Sequence, residues 1–157
     1  MHQTFSCLKR PLWLAIALGA YVSQAQAQAH VETQGAYTLR VSTVASTQIP
    51  EAQARAAGIT RAPDKALLNV VVQHRVSAET TRTVEAKVVA QVVSLTGRAQ
   101  EVAMQANREN DHVSYLGLYT VVPNEVVDIS VTATPTDAGK PLTVRFREKM
   151  APAAKSD

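Results

Sequence analysis

Cysteine is nearly missing from this chain: the single one, Cys7, stands among the first residues, ahead of an apolar run from Leu12 to Val22. With no second cysteine there is no disulfide framework, no thiolate metal site and, once the first segment is set aside, no cysteine nucleophile. Aromatics are scarce at 4%, which leaves few large anchors for a ligand or an interface. Glycine is limited to 6 residues. None of them builds a G-x-S-x-G elbow or a phosphate cradle after a strand, and the H-E-x-x-H zinc pattern is absent as well.

The first residues have the layout of a secretory leader. Lys9 and Arg10 are its basic part, Leu12 to Val22 its apolar part, and Ala25-Gln26-Ala27 and Ala27-Gln28-Ala29 are both acceptable cleavage sites. Residues 1–29 are therefore expected to be a signal peptide cut after Ala27 or Ala29, and the apolar run is too short for the ~20 residues of a membrane span. Of the 16 basic residues, Lys9 and Arg10 leave with that leader, so 14 remain against 13 acidic ones, a net charge of +1. The basic character of the whole chain thus does not point to nucleic acid, and no basic patch is interleaved with aromatics. The expected location is the periplasm, and no membrane span is expected after cleavage.

About 128 of the 157 residues remain, enough for one domain with one core over residues 30–150, followed by a disordered tail at 151–157. What these residues have in abundance is alternating valine. Ala66 to Val76 reads as a central strand, with Leu68, Val70, Val72 and Val76 on one face. Tyr37 to Val44 reads as the first strand. Thr83 to Leu95, Ala99 to Ala106 (Val102 and Met104 inward), Val113 to Val122, Val126 to Ala133 and Leu142 to Phe146 complete about seven. Gly117 in mid-strand signals a bulge or a close backbone approach.

Asn107 to Asp111 reads as a polar turn, and Pro50 to Ala57 as one short helix between the first two strands, with Gly58 to end it and Ile49 a poor cap. The pattern predicts an all-β fold, a two-layer antiparallel sandwich of immunoglobulin-like kind.

Several local signatures, in order, carry a resemblance. They are Ser46-Thr47 and Pro50-Glu51 after the first strand, Ala57-Gly58-Ile59-Thr60-Arg61, Leu68-Asn69-Val70, Leu95-Thr96-Gly97-Arg98, Arg108-Glu109 before Tyr115, and Val144 to Phe146. Together they resemble an uncharacterised secreted family of Gram-negative bacteria known only as a domain of unknown function, over Gly35 to about Met150. The resemblance implies small periplasmic β-sandwich proteins and brings no activity with it. Ser94 and Arg98 depart from the asparagine and glutamine that the family often carries at that turn.

Candidate chemistry is sparse. His74 lies on the inward face of the central strand, where a histidine is ordinarily a core or edge residue. Glu109 and Asp111 share a polar turn and could form a carboxylate pair, although neighbouring acids in such a turn are ordinarily solvated. A hydrolase would need a site that the sequence does not display. If cleavage falls after Ala29, the α-amine and imidazole of His30 can chelate copper, with Asp111-His112 or His74 supplying the remaining ligand. The metal candidates are thus His30, His112 and Asp111, and copper is the one cofactor considered. Arg145, Arg147 and Lys149 on the last strand could meet an acidic envelope component, or simply keep an edge soluble. The function expected is a non-catalytic binding or assembly accessory, with a periplasmic protein or an envelope component as partner.

Overall fold

The valine alternation is realised as two antiparallel sheets in a computed structural model that describes residues 29–137 and 140–150. One sheet orders β1 (Ala29–Gln34), β2 (Tyr37–Ala45), β3 (Lys65–Arg75), β8 (His112–Thr120) and β7 (Gln105–Glu109), with the short β4 (Thr81–Thr83) paired to the end of β3. The other orders β10 (Leu142–Lys149), β9 (Val126–Pro135), β5 (Ala86–Ser94) and β6 (Ala99–Val102). The expected two-layer sandwich is the fold. Leu39, Val41, Leu68, Val70 and Val72 from the first sheet meet Ala90, Val92, Ile129, Val131 and Ala133 from the second, each at most 3% exposed. Every valine or leucine so buried contributes about 1.5–3 kcal/mol, which is how a core short of aromatics still forms.

Ten strands stand among the described residues where the sequence suggests seven, and the reasons are local. β1 carries only one large apolar residue, Val31, and pairs residue by residue with β2 through a turn at Gly35 (φ 61°). Cross-strand pairing rather than propensity makes it a strand. The expected strand from Thr83 divides because the chain changes sheet at Val84 and Glu85, leaving β4 in one layer and β5 in the other.

Ala99 to Ala106 divides for the same reason. β6 lies in the second sheet, β7 in the first, and Asn107 to Glu109 belong to β7 rather than to a polar turn. The turn itself is narrower, with Asn110 at φ 51°. Val76 does not share the inward face; it lies past the end of β3 and is 56% exposed. The expected leader up to Gln28 and the tail from Ala151 lie outside the described residues. No helix among the described residues is long and apolar enough to cross a membrane.

Polar contacts tie the layers at both ends. At one, the Ala86 N–H donates to the Tyr115 hydroxyl at 2.7 Å, beside the fork that Arg108 makes with Glu85 at 2.8 and 3.0 Å. Arg108 holds the exposed Glu85 carboxyl below the usual carboxylate range. At the other, Thr43 of β2 donates to Glu148 of β10, and the Tyr119 hydroxyl lies 3.9 Å from the Met150 sulfur.

Tyr119 is 1% exposed, and burial, with the Glu148 charge second, raises its pKa well above the tyrosine range. A raised folded-state pKa means that the stability it confers is complete below the unfolded value of about 10 and is lost as pH rises beyond it. Urea unfolding is therefore expected to lose about 1.4 kcal/mol per pH unit above about pH 10. Tyr119→Phe should abolish most of that slope, leaving a remainder to Tyr115, whose pKa burial also raises. An unchanged slope in the variant would refute the assignment.

Candidate functional site

The outer face of the first sheet is where the sequence breaks its own pattern. β3 reads Ala-Leu-Leu-Asn-Val-Val-Val, and Asn69 is the polar residue among them. The register places Asn69 between Ser42 of β2 and Leu116 of β8, and Leu67 between Val44 and Leu118. One end of this face is therefore apolar, and it turns polar along the strands towards Asn107 and Glu109 of β7, the edge strand.

Over the apolar end lies the segment between β2 and β3. It begins with a 3-10 turn at Ser46–Gln48 and continues into α1 (Glu51–Ala56), a helix starting at Pro50 with no side-chain cap. Gly58 at φ 66° reverses the chain, and the Ile59 N–H donates to the Ala54 carbonyl at 2.7 Å. Ser46, fully buried, pins this segment to its return. Its hydroxyl donates to the Ala62 carbonyl at 2.8 Å and accepts from the Ala62 N–H at 2.9 Å. Arg61 adds a bond to the Thr47 carbonyl at 2.7 Å.

Between this segment and the sheet lies a cleft of about 680 Å³, which the methyl groups of Ala56 and Ala57 are too small to fill. Ile49, Pro50, Ile59, Val44, Leu67 and Leu116 line it with Gln48, Gln53, Asn69 and Asn107, and its sole ionisable side chain among the described residues is Glu109. Asn69 Oδ1 is itself shielded from solvent and has no hydrogen-bond partner. A buried acceptor left unpaired costs roughly 1–3 kcal/mol. The volume falls within the ~300–1,000 Å³ of small-molecule sites, and apolar walls with a few polar groups are their usual lining.

Of the candidate site residues named from sequence, Glu109 lines this cleft and the others lie elsewhere. His30 is on the inner side of β1, stacked on Phe146 with ring centroids 3.7 Å apart, and closes the seam beside β10. His112 is on the outer face of β8, opposite Glu109. β2 and β3 separate the two strands, so three strand spacings put them about 14 Å apart across the sheet, on opposite faces. Asp111 lines another cleft, of about 600 Å³, with Arg82, Glu85 and Asp137. His74 stacks on Tyr37 at 4.5 Å, with its Nδ1 buried and unpartnered.

His30, His112 and Asp111 are thus not brought together. No group of three or more His, Cys, Asp or Glu residues suited to a metal occurs among the described residues. Arg147 of the basic strip forms a fork with Asp128 at 2.7 and 3.0 Å, which leaves Arg145 and Lys149 beside a neutralised pair. At the turn after β5, Ser94 Oγ accepts from the Arg98 N–H at 3.2 Å and meets Thr96 Oγ1 at 2.7 Å.

Comparison with known proteins gives a consistent picture. A family model described as a domain of unknown function, DUF4426, matches residues 31–152. No curated protein matches. A DUF4426 family protein from Pseudomonas aeruginosa is similar in structure, with a TM-score of 0.66 at 18% identity over 79% of this chain and 95% of its own. A copper-bound variant of FetP from uropathogenic Escherichia coli is similar at a TM-score of 0.56 and 14% identity, over 82% of this chain and 94% of its own. FetP as isolated, after expression in the periplasm, gives a TM-score of 0.57 at 12% identity, over 82% and 98%. At these identities the likeness is one of fold.

Proposed function

We propose, on the premise that this chain belongs to the DUF4426 family, that it is a non-catalytic binding module of the periplasm. Its ligand is a small molecule held in the cleft between α1 and the outer face of the first sheet. The observation that carries this reading is the cleft itself, about 680 Å³ with mostly apolar walls and the amides of Gln48, Gln53, Asn69 and Asn107 as polar groups. The cleft offers apolar contact and amide hydrogen bonds, and its lining pairs no nucleophile with a base. The leader expected from sequence supports the location. Copper is not carried over from the FetP likeness, because the candidate ligands His30, His112 and Asp111 do not fit one coordination sphere.

The test uses N-phenyl-1-naphthylamine, a neutral probe whose rings suit the apolar end of the cleft. Its fluorescence is expected to rise on titration with the protein. Ala57→Trp, at an exposed position whose indole would fill the cleft, should weaken capture at least about tenfold, ~1.4 kcal/mol, with thermal unfolding unchanged. An equal response from the two proteins would reject the cleft as the site.

A further inference from the structure

Resting on that reading of the cleft, we infer that its ligand is an uncharged apolar molecule carrying a carbonyl group, of the ester, amide or ketone class, whose oxygen accepts from Asn69 Nδ2. Two observations select it: the side of the Asn69 amide that is open, and the charges that the lining lacks. Asn69 stands half-buried on the outer face of β3, between Ser42 and Leu116. Its Oδ1 is shielded and unpartnered, whereas Nδ2 is not among the shielded atoms and is the atom that the amide presents to the cleft. That orientation is the less costly one, since the reverse would leave two N–H donors unpaired on the dry side in place of one carbonyl.

The lining disfavours ions of either sign. No lysine or arginine is among the described lining residues, so a carboxylate or phosphate would meet no cation there. Arg40, two residues from Ser42 on β2, is occupied by Gln73 at 2.9 Å. An ammonium would set its N–H groups against the Asn69 donor. Glu109, the one carboxylate among the described lining residues, is exposed and lies four residues along β7 from Gln105, the residue in line with Asn69 and Leu116. An ion taken into this cleft would therefore lose water without gaining a partner. A carbonyl oxygen loses far less and gains one N–H, and the apolar body then lies among Val44, Leu67, Leu116, Ile49 and Ile59.

The experiment compares 5-phenylpentan-2-one, 4-phenylbutyrate and 4-phenylbutylamine, which share a phenylalkyl body, by calorimetry and amide chemical shifts on the whole folded protein. The ketone is expected to bind about tenfold more tightly than either ion. Its addition should move the side-chain N–H resonances of Asn69. Asn69→Leu keeps the size of the side chain and removes the donor, so the ketone's affinity should fall about fivefold, as one hydrogen bond supplies. Capture of N-phenyl-1-naphthylamine should be unchanged in the variant. Its thermal unfolding should not fall either, because the change also removes a buried acceptor that lacks a partner.

Equal or tighter binding of the acid or the amine would overturn the assignment of an uncharged ligand. An Asn69 side-chain resonance unmoved by the ketone would overturn the role of Nδ2 without recourse to a variant. A parallel fall of ketone and naphthylamine binding in Asn69→Leu would do the same, since it would report a change in the shape of the cleft. In each of these outcomes the naphthylamine still binds the unaltered protein and the cleft stands as a site; its failure to bind would remove the reading on which the assignment rests.

Discussion

Gly117→Ala is expected to destabilise the fold by about 2–3 kcal/mol, because a methyl group at that point has nowhere to go. Gly117 lies on the inner face of β8, where β6 passes into β7 and the chain crosses from one sheet to the other. A Cβ there would stand 2.6 Å from the Met104 sulfur, 2.6 Å from Val102 Cγ1 and 3.1 Å from the Ala103 carbonyl oxygen. Methionine can swing aside. A β-branched valine and a backbone oxygen cannot do so without moving the strand.

Urea unfolding measures the loss, and a double variant tests its cause. Val102→Ala alone removes buried methyl groups and destabilises, yet in the Gly117→Ala background it relieves a clash, so the two changes should couple by about 1 kcal/mol. Simple additivity would show that the close approach is not what holds the glycine. The sequence flags Gly117 as either a bulge or a close approach. Unbroken pairing of β8 with β3 through Gly117, opposite Leu68, resolves that choice in favour of the approach.

Ser46→Ala should cost about 2–3 kcal/mol and loosen the roof of the cleft as well. The hydroxyl serves both the N–H and the carbonyl of Ala62, so its removal unpairs two backbone groups, each worth about 1–1.5 kcal/mol. Those groups belong to the return of the segment that carries α1, a helix of only 6 residues. A helix that short has little stability of its own and keeps its position through such anchors. Hydrogen exchange should therefore quicken at Ala62 and Ile59 by more than at Val70 in the core. Capture of the naphthylamine probe should fall in parallel. Loss of stability with probe capture intact would mean that the roof is not needed for the site.

Much of the fold was legible in the chain. Alternation at Leu68, Val70 and Val72, and at Val127, Ile129, Val131 and Ala133, identified inward faces that the structure buries almost completely. Alternation works there because a strand with one covered face has no freedom to place its apolar side chains otherwise. The short helix was legible from its alanines, its leading proline and Gly58. The strands that escaped, β1, β4 and β7, contain few apolar residues and exist because the adjacent strand of a hairpin supplies hydrogen-bond partners, which the alternation within one segment does not show.

The candidate site was less legible. Asn69 could have been noticed as the polar residue in a valine-rich strand. Glu109 stood out only as one of two acids in a turn and Asn107 not at all, since both read as solvated until β7 is paired with β8. The histidines mislead for the same reason: a sequence shows that His30 and His112 are few and chemically suited to copper, but not that two strands and the thickness of a sheet lie between them.

By itself, then, the sequence determined the sandwich, its aliphatic core and the chemistries open to a domain without paired cysteines, because these follow from composition and from the period of the strand. Only the tertiary structure decided where the chain changes sheet, which face α1 covers and which polar groups meet beneath it. Those outcomes depend on pairing between segments distant along the chain, and no local pattern of residues encodes that pairing.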